Sequence, residues 1–378
     1  MRILLVVPSL IKGSAERLVL DMAEQLALRG HQARVAVLRD DNRYPELAAK
    51  SNVTNVRSSV YYSVFGSDQI QIEGYEALVD SFKPDIIHSH LVDAELVSRH
   101  NPRKGVAYIT HWHGCPSLTN PVPPNEWLTK DALWKWNTKR ILKRNYIRCQ
   151  NHFLCISGFI QNYVMDRLDA DKSETTVLHN AIDLQLFTKT ESDKPDGFRL
   201  ISIGSLQKNK NHVFQLKVMR HLLDRGFTDI YLDVYGEGPE LEFLRKKVDE
   251  LGVRSQVTLH GIVHDIQDRI NQSHLLVHSA WHEPFGLILI EAMACGVPVL
   301  SFDTGGPREL VTDGVNGFLT HRDDLNTYVE RLLTLYNDRN LLPKMGQAAM
   351  THAQKFGLAN YATNLETLYL KRLSEIRK

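Results

Sequence analysis

One pattern runs the length of this chain and starts over once. Short runs rich in Val, Ile and Leu, at residues 3–7, 33–38, 86–88, 108–110 and 153–156, are each followed by a stretch of helical period. A strand buried on both faces reads as a continuous apolar run, so the alternation predicts parallel sheets wrapped by helices. After a polar stretch at 188–197, which carries Pro195 and Gly197, the series resumes at 199–203, 231–235, 256–260, 275–278 and 297–302. That stretch has few apolar groups to bury and reads as a linker. A length of 378 residues exceeds one ordinary core of roughly 100 to 200 residues. The expected organisation is α/β: two Rossmann-like, doubly wound domains, residues 1–180 and 181–357, followed by a helix at 358–378. Tyr361, Leu365, Leu368, Tyr369 and Leu373 give this last helix an apolar face. It packs either on the nearest domain or back across on the first.

Lys+Arg 45 against Asp+Glu 44 leaves a net charge of +1, which argues against nucleic acid as a partner and makes any contact with anionic lipid local. The apolar run at 3–7 is shorter than a signal-peptide core or a membrane span, so a cytoplasmic protein is expected. Cys115, Cys149, Cys155 and Cys295 show no Cys-x-x-Cys pair or metal-ligand spacing, and neither a disulfide nor a zinc site is expected.

The most informative segment is Glu283-Pro284-Phe285-Gly286-Leu287-Ile288-Leu289-Ile290-Glu291-Ala292-Met293-Ala294. Pro284 and Gly286 disfavour a helix interior while the residues after them favour one, so a helix should open close to Gly286. A helix start presents unpaired amides and the positive end of a dipole, which suit a phosphate or a sugar hydroxyl. Glu291 would lie about 7.5 Å further along the axis. Two carboxylates so placed could accept hydrogen bonds from two sets of hydroxyls. On spacing alone it is equally open that Glu283 caps the helix and Glu291 is a solvated face residue.

Three further groups stand out. The loop Pro8-Ser9-Leu10-Ile11-Lys12-Gly13-Ser14 follows the first strand, at a sheet end where ligands of open α/β folds bind. Histidines end two strands, His88 and His90 on one, His111 and His113 on the next. Alternate residues share a face, which admits a metal reading, but no acidic or cysteine partner completes a set, so no metal is expected. Residues 131–150 carry Trp134, Trp136, Lys135, Lys139, Arg140, Lys143, Arg144 and Arg148. This composition can lie on anionic headgroups, giving peripheral contact at the inner face of the membrane. It also fits a solvated helix with an apolar underside at Ile141, Leu142 and Ile147.

The segment from Glu283 to Glu291 resembles the Glu-x7-Glu motif of retaining glycosyltransferases of the GT-B fold, family GT4. Other pieces agree. Asn180-Ala181-Ile182-Asp183 resembles the family's Asn-Gly-Val-Asp signature, and Gly236-Glu237-Gly238-Pro239 its Gly-x-Gly-Pro turn. Thr304-Gly305-Gly306-Pro307-Arg308-Glu309 resembles the run after the donor helix. The resemblance implies two domains facing a cleft. It implies that Glu291 binds the ribose and that Glu283 holds the transferred hexose with the backbone of Phe285, Gly286 and Leu287. Lys210 matches the lysine that clamps the diphosphate, whereas Ser205 stands where the family has an arginine; Arg308 or Lys208 could compensate. Gly13, Gly236, Gly261 and Ile262 complete the donor side, the last two as a wall for the base. His113, Glu283 and Lys210 are the expected catalytic groups, with His90 and His111 on the acceptor side. The reaction implied is hexosyl transfer with retention from a nucleotide diphosphate sugar, UDP preferred, to a glycan or lipid-linked acceptor in cell-surface polysaccharide synthesis. It needs no cofactor and no metal, and no Asp-x-Asp pair is expected to hold one. Alternatives are an epimerase or phosphorylase of the same fold, or a catalytically silent nucleotide-sugar binding subunit, suggested by the serines at positions 14 and 205.

Overall fold

The computed structural model describes residues 1–11, 13–120, 122–191 and 194–377. Lys12 of the first loop and Ser192 and Asp193 of the linker lie outside the described residues. The chain forms two compact units, Met1–Asn180 with Leu358–Lys378, and Ala181–Gly357.

Among the described residues the first unit holds a parallel sheet of β1 (Arg2–Val7), β2 (Gln32–Val37), β3 (Val53–Asn55), β6 (Ile86–His90), β7 (Ala107–Trp112), β8 (His152–Cys155) and β9 (Thr175–Val177), in the order β3-β2-β1-β6-β7-β8-β9. A small antiparallel hairpin, β4 (Ser59–Tyr61) with β5 (Gln69–Gln71), stands apart from it. The apolar runs form the buried middle of this sheet: Ile3 to Val7 are all fully buried. β6 extends past its apolar part, because His88, Ser89 and His90 are buried as completely as Ile86 and Ile87.

The terminal helix Leu358–Ile376 belongs to this first unit, and its face of Tyr361, Leu365, Leu368, Tyr369 and Leu373 is buried. Polar ties fix its register. Glu366 meets Arg29 (3.3 Å) and His31 (2.9 Å), Arg372 donates to the Gln150 carbonyl (3.0 Å), and the Tyr369 hydroxyl lies 2.7 Å from Nδ1 of His88.

The second unit repeats the plan with β10 (Phe198–Ile203), β11 (Ile230–Tyr235), β12 (Val257–Gly261), β13 (Leu275–His278), β14 (Val299–Phe302) and β15 (Gly317–Thr320), in the order β12-β11-β10-β13-β14-β15 and parallel throughout. β14 begins two residues later than the apolar run suggests. Proline cannot donate to the ladder, and Pro298 only accepts, from the Leu276 amide. Edge-to-face aromatic pairs, Phe214 on Phe302 (4.8 Å) and on Tyr328 (5.1 Å), lock helices onto the sheet.

In each sheet the strand order reverses beside the first strand, between β1 and β6 and between β10 and β13. The loops leaving the carboxyl ends of such a pair diverge to opposite faces and open a crevice, where ligands of open α/β sheets bind. Gly13 and His90 lie at one of these points; Lys210 and Glu283 lie at the other.

Candidate functional site

In the second unit the loop after β10 and the loop after β13 are tied together. Ser279 Oγ donates to the carbonyls of Lys210 (3.2 Å) and Asn211 (3.0 Å), and the Trp281 amide donates to the Asn209 carbonyl (2.9 Å). These ties bring the Lys210 ammonium to 2.5 Å from Oε2 of Glu283. Glu283 is buried, and its Oε2 also lies 3.1 Å from Nε2 of His278, whose Nδ1 lies 3.1 Å from Ser301 Oγ. Burial by itself pushes the Glu283 pKa up. The His278 hydrogen bond and the Lys210 charge outweigh it and hold the carboxyl down at about 2. The group is a buried, preorganised anion.

The helix Leu287–Ala294 opens where the sequence predicts. Gly286 precedes it at φ 103°, a left-handed conformation that glycine adopts without steric cost. No side chain caps this helix, Glu283 included, so its first amides remain for a ligand. Phe285 is buried against Phe356, and Gly306 approaches so closely that a Cβ there would sit 2.2 Å from the Phe285 Cα. Glu291 lies one turn on, half-buried, on the same helix face as Leu287 and Ile288.

The other residues expected on the donor side lie at or just after the carboxyl ends of β10, β11 and β12. Gly204 and Gly236 pack backbone on backbone, since a Cβ on Gly236 would lie 1.9 Å from the Gly204 carbonyl oxygen. The requirement for glycine at 236 is thus this close approach of two loops. Gly261 faces open space at φ 80°, and Ile262 beside it is exposed. Ser205 is exposed and brings no charge. Of the two proposed substitutes, Arg308 is already engaged by both carboxylate oxygens of Asp303 (2.7 and 3.0 Å), which leaves Lys208, exposed in the turn Lys208–Lys210, as the remaining candidate.

In the first unit the four histidines form one stack. Ring centroids of His88 and His90 lie 4.6 Å apart, of His90 and His113 5.2 Å, and of His111 and His113 4.2 Å. Burial keeps the imidazoles neutral: His113 is held down at about 3, and His88, His90 and His111 fall well below their usual value. The ligand nitrogens of His88, His90 and His111 lie within 4.8 Å of one another. This is looser than the roughly 3.4 Å between two nitrogens on one tetrahedral zinc ion. His90 is not open to a ligand; its Nδ1 lies 2.9 Å from Nε2 of His113, so it stands behind His113. His111 and His113 line a cavity of about 250 Å³ with Glu95, Trp112 and Cys115.

Glu95 was not legible from the sequence, where it reads as a helix-face charge. It is buried, receives the Tyr146 hydroxyl, and has its pKa raised to about 7 by burial, against the partial offset of Arg99 and that hydrogen bond. A carboxyl whose folded pKa exceeds its unfolded value loses stability as pH rises from the unfolded pKa of 4.5 through about 7. Glu95→Gln should therefore flatten the stability profile over that window and stabilise the chain at pH 8 by on the order of 2 to 3 kcal/mol. Urea denaturation of both proteins at pH 5 and pH 8 checks this.

The basic segment forms the helix Lys130–Arg148, but its underside differs from expectation. Ala132, Thr138, Leu142, Asn145 and Tyr146 are buried, whereas Ile147 is 79% exposed. Ile147 follows Tyr146, which takes the inward position against Phe153 (5.0 Å), and a step of about 100° round the helix carries it off the buried face. Trp136 is exposed with Arg140 over its ring, and Trp127 and Leu128 are exposed just before the helix. Contrary to expectation, one Asp-x-Asp spacing does occur, at Asp169-Ala170-Asp171. Asp169 pairs with Lys143, and Asp171 caps the turn Lys172–Glu174, so both carboxylates have structural roles. Among the described residues no helix is long and apolar enough to cross a membrane.

Known proteins match both halves. The model of glycosyl transferases group 1 matches residues 186–352, and that of glycosyltransferase family 4 matches residues 15–186. A Bacillus subtilis (strain 168) protein named as a glycosyltransferase, EpsD, is 27% identical over 305 residues, 77% of this chain and 78% of that protein. The D-inositol 3-phosphate glycosyltransferase of Streptomyces griseus is 34% identical over 186 residues, 46% of this chain; the match spans only 39% of that protein. In fold, the crystal structure of Anabaena HepE in complex with UDP superposes with a TM-score of 0.78 at 21% identity, covering 97% of this chain and 99% of that one. Matched by two models in succession from residue 15 to residue 352, and built on the GT-B plan of paired parallel-sheet units, the chain belongs to the group 1 and family 4 glycosyltransferases.

Proposed function

We propose that the chain transfers a hexosyl group, with retention, from a UDP-sugar to a glycan or lipid-linked acceptor in cell-surface polysaccharide synthesis. The observation that carries this reading is the Lys210–Glu283 pair beside an uncapped helix start, at the strand-order reversal of the second unit. The preference for UDP draws on the UDP, glucose and UDP-glucose complexes of HepE. As the sugar–phosphate bond breaks, negative charge collects on the diphosphate and the sugar gains oxocarbenium character. Lys210 and the amides after Gly286 stabilise the first, the electrostatic contribution that is usually largest in such sites. Glu283 accepts from a hexose hydroxyl and Glu291 from the ribose. In the first unit the neutral His113 offers a hydrogen bond to a substrate hydroxyl. None of these steps calls for a metal ion. Melting curves with UDP, GDP and ADP test the base: UDP should raise the Tm most. A transferase releases UDP from its UDP-sugar in step with glycosylated acceptor; release without product, or an epimerised sugar, would overturn the reading.

We also propose peripheral contact with anionic lipid through residues 131–150, supported by exposed Trp136 and Ile147 among Lys139, Arg140, Arg144 and Arg148. The chain should co-sediment with phosphatidylserine vesicles at low salt and detach as salt rises. Failure to co-sediment at low salt rejects the contact.

A further inference from the structure

β13 ends in a histidine although the rest of the strand, Leu275, Leu276 and Val277, is apolar. His278 is only 6% exposed, so its ring nitrogens must be satisfied inside the protein. Its neighbour in the sheet register is Ser301 on β14, and Ser301 Oγ lies 3.1 Å from Nδ1. The Ser301 hydroxyl also donates to the Phe302 carbonyl (3.2 Å), which leaves Oγ free to accept from Nδ1–H. If Nδ1–H donates to Ser301, the ring must be the imidazolium for Nε2–H to donate to the Glu283 carboxylate as well; if the hydroxyl turns to donate to Nδ1, the neutral ring donates through Nε2–H. Both arrangements put a proton between Nε2 and Oε2 of Glu283. The Tyr328 hydroxyl, donating to the carbonyls of His278 and Leu300, fixes the backbone underneath.

Lys210 and His278 both contact Oε2, and among the described residues no hydrogen bond reaches Oε1. The two donors differ in kind. The lysine is a compact charge on a flexible stem and can turn to a diphosphate, whereas the imidazole is locked by Ser301. A buried carboxylate that lost both donors would carry a large desolvation cost.

We propose that His278 is a positioning residue for Glu283: it anchors Oε2, presents Oε1 to a hydroxyl of the donor sugar, and stays on the carboxylate when the diphosphate draws Lys210 away. The proposal rests on the reading of Glu283 and Lys210 as donor-binding groups.

The test compares His278→Leu, which removes the donor, with His278→Gln, whose amide can reach the same oxygen. In His278→Leu, kcat for transfer should fall about 10- to 100-fold while binding of UDP alone, which lacks the sugar, stays at the parental affinity. His278→Gln should recover to within a few-fold of the parent. In a Glu283→Ala background, His278→Leu should have no further effect, because its action passes through that carboxylate. Nitrogen NMR of the His278 ring in the parent should show a proton on Nε2. Parental transfer by a folded His278→Leu, alongside an inactive Glu283→Ala, overturns the proposal but spares the donor site; full transfer by Glu283→Ala overturns the donor site itself. If His278→Leu fails to fold, the glutamine variant and the ring spectrum decide: no recovery, or a bare Nε2 in the parent, rejects it.

Discussion

Glu283→Ala should lower kcat for transfer about 100- to 1,000-fold, the scale on which a preorganised group at a reacting centre acts, while leaving UDP bound at least as tightly as before. The two halves of that result have separate causes. Glu283 is held ionised at about 2 by His278 and Lys210, with Oε1 free for a sugar hydroxyl, so its loss removes contact to the transferred hexose. It also releases the Lys210 ammonium, which then has no carboxylate competing with a diphosphate. Rates of UDP release with acceptor, set beside calorimetric titration of UDP, check both halves. A variant that lost transfer and UDP binding together would mean that the loop had collapsed. Glu283→Gln should be nearly as inactive, since it keeps the shape but not the charge.

Lys210→Ala is expected to act on the diphosphate instead, lowering kcat/KM for the donor about 100-fold and weakening UDP itself. The effect should exceed that of losing an ordinary surface lysine because Ser205 supplies no second cation and Arg308 is held by Asp303. A pH signature accompanies it. In the parent, the depressed Glu283 pKa contributes stability that is present above the unfolded value of 4.5 and lost as pH falls through about 2. Without Lys210 one of the causes holding that pKa down is gone, and burial, which pushes it up, gains weight. The variant should therefore lose less stability than the parent as pH falls from about 4.5 towards 2, because less of the depressed pKa is left to lose. Urea melts between pH 3 and pH 7 measure the difference in slope; superimposable profiles would show that the ion pair carries no such energy.

The sequence discloses these groups unevenly, for physical reasons. Strands buried on both faces, such as β1 and β10, have to be continuous apolar runs and were legible. β3, β9 and β15 are three or four residues long at sheet edges, and the hairpin β4–β5 is as short, so none offers a run to detect. The opening of the helix at Leu287 was legible because Pro284 and Gly286 punctuate it. His278 was not, since it lies five positions before Glu283 and only the loop return after β13 brings them together. Glu95 illustrates the converse: a carboxylate on a short helix looks solvent-facing until Tyr146, from another helix, closes over it beside Arg99 one turn on. The underside of Lys130–Arg148 shows how one position of helical phase matters, with Tyr146 inward and Ile147 outward.

A crystal structure of the full chain soaked with its UDP-sugar would test the donor site most directly. The expected density places the diphosphate against Lys210 and the amides of Gly286 and Leu287, with a sugar hydroxyl on Oε1 of Glu283. A nucleotide bound at saturating concentration anywhere else on the chain would contradict the account.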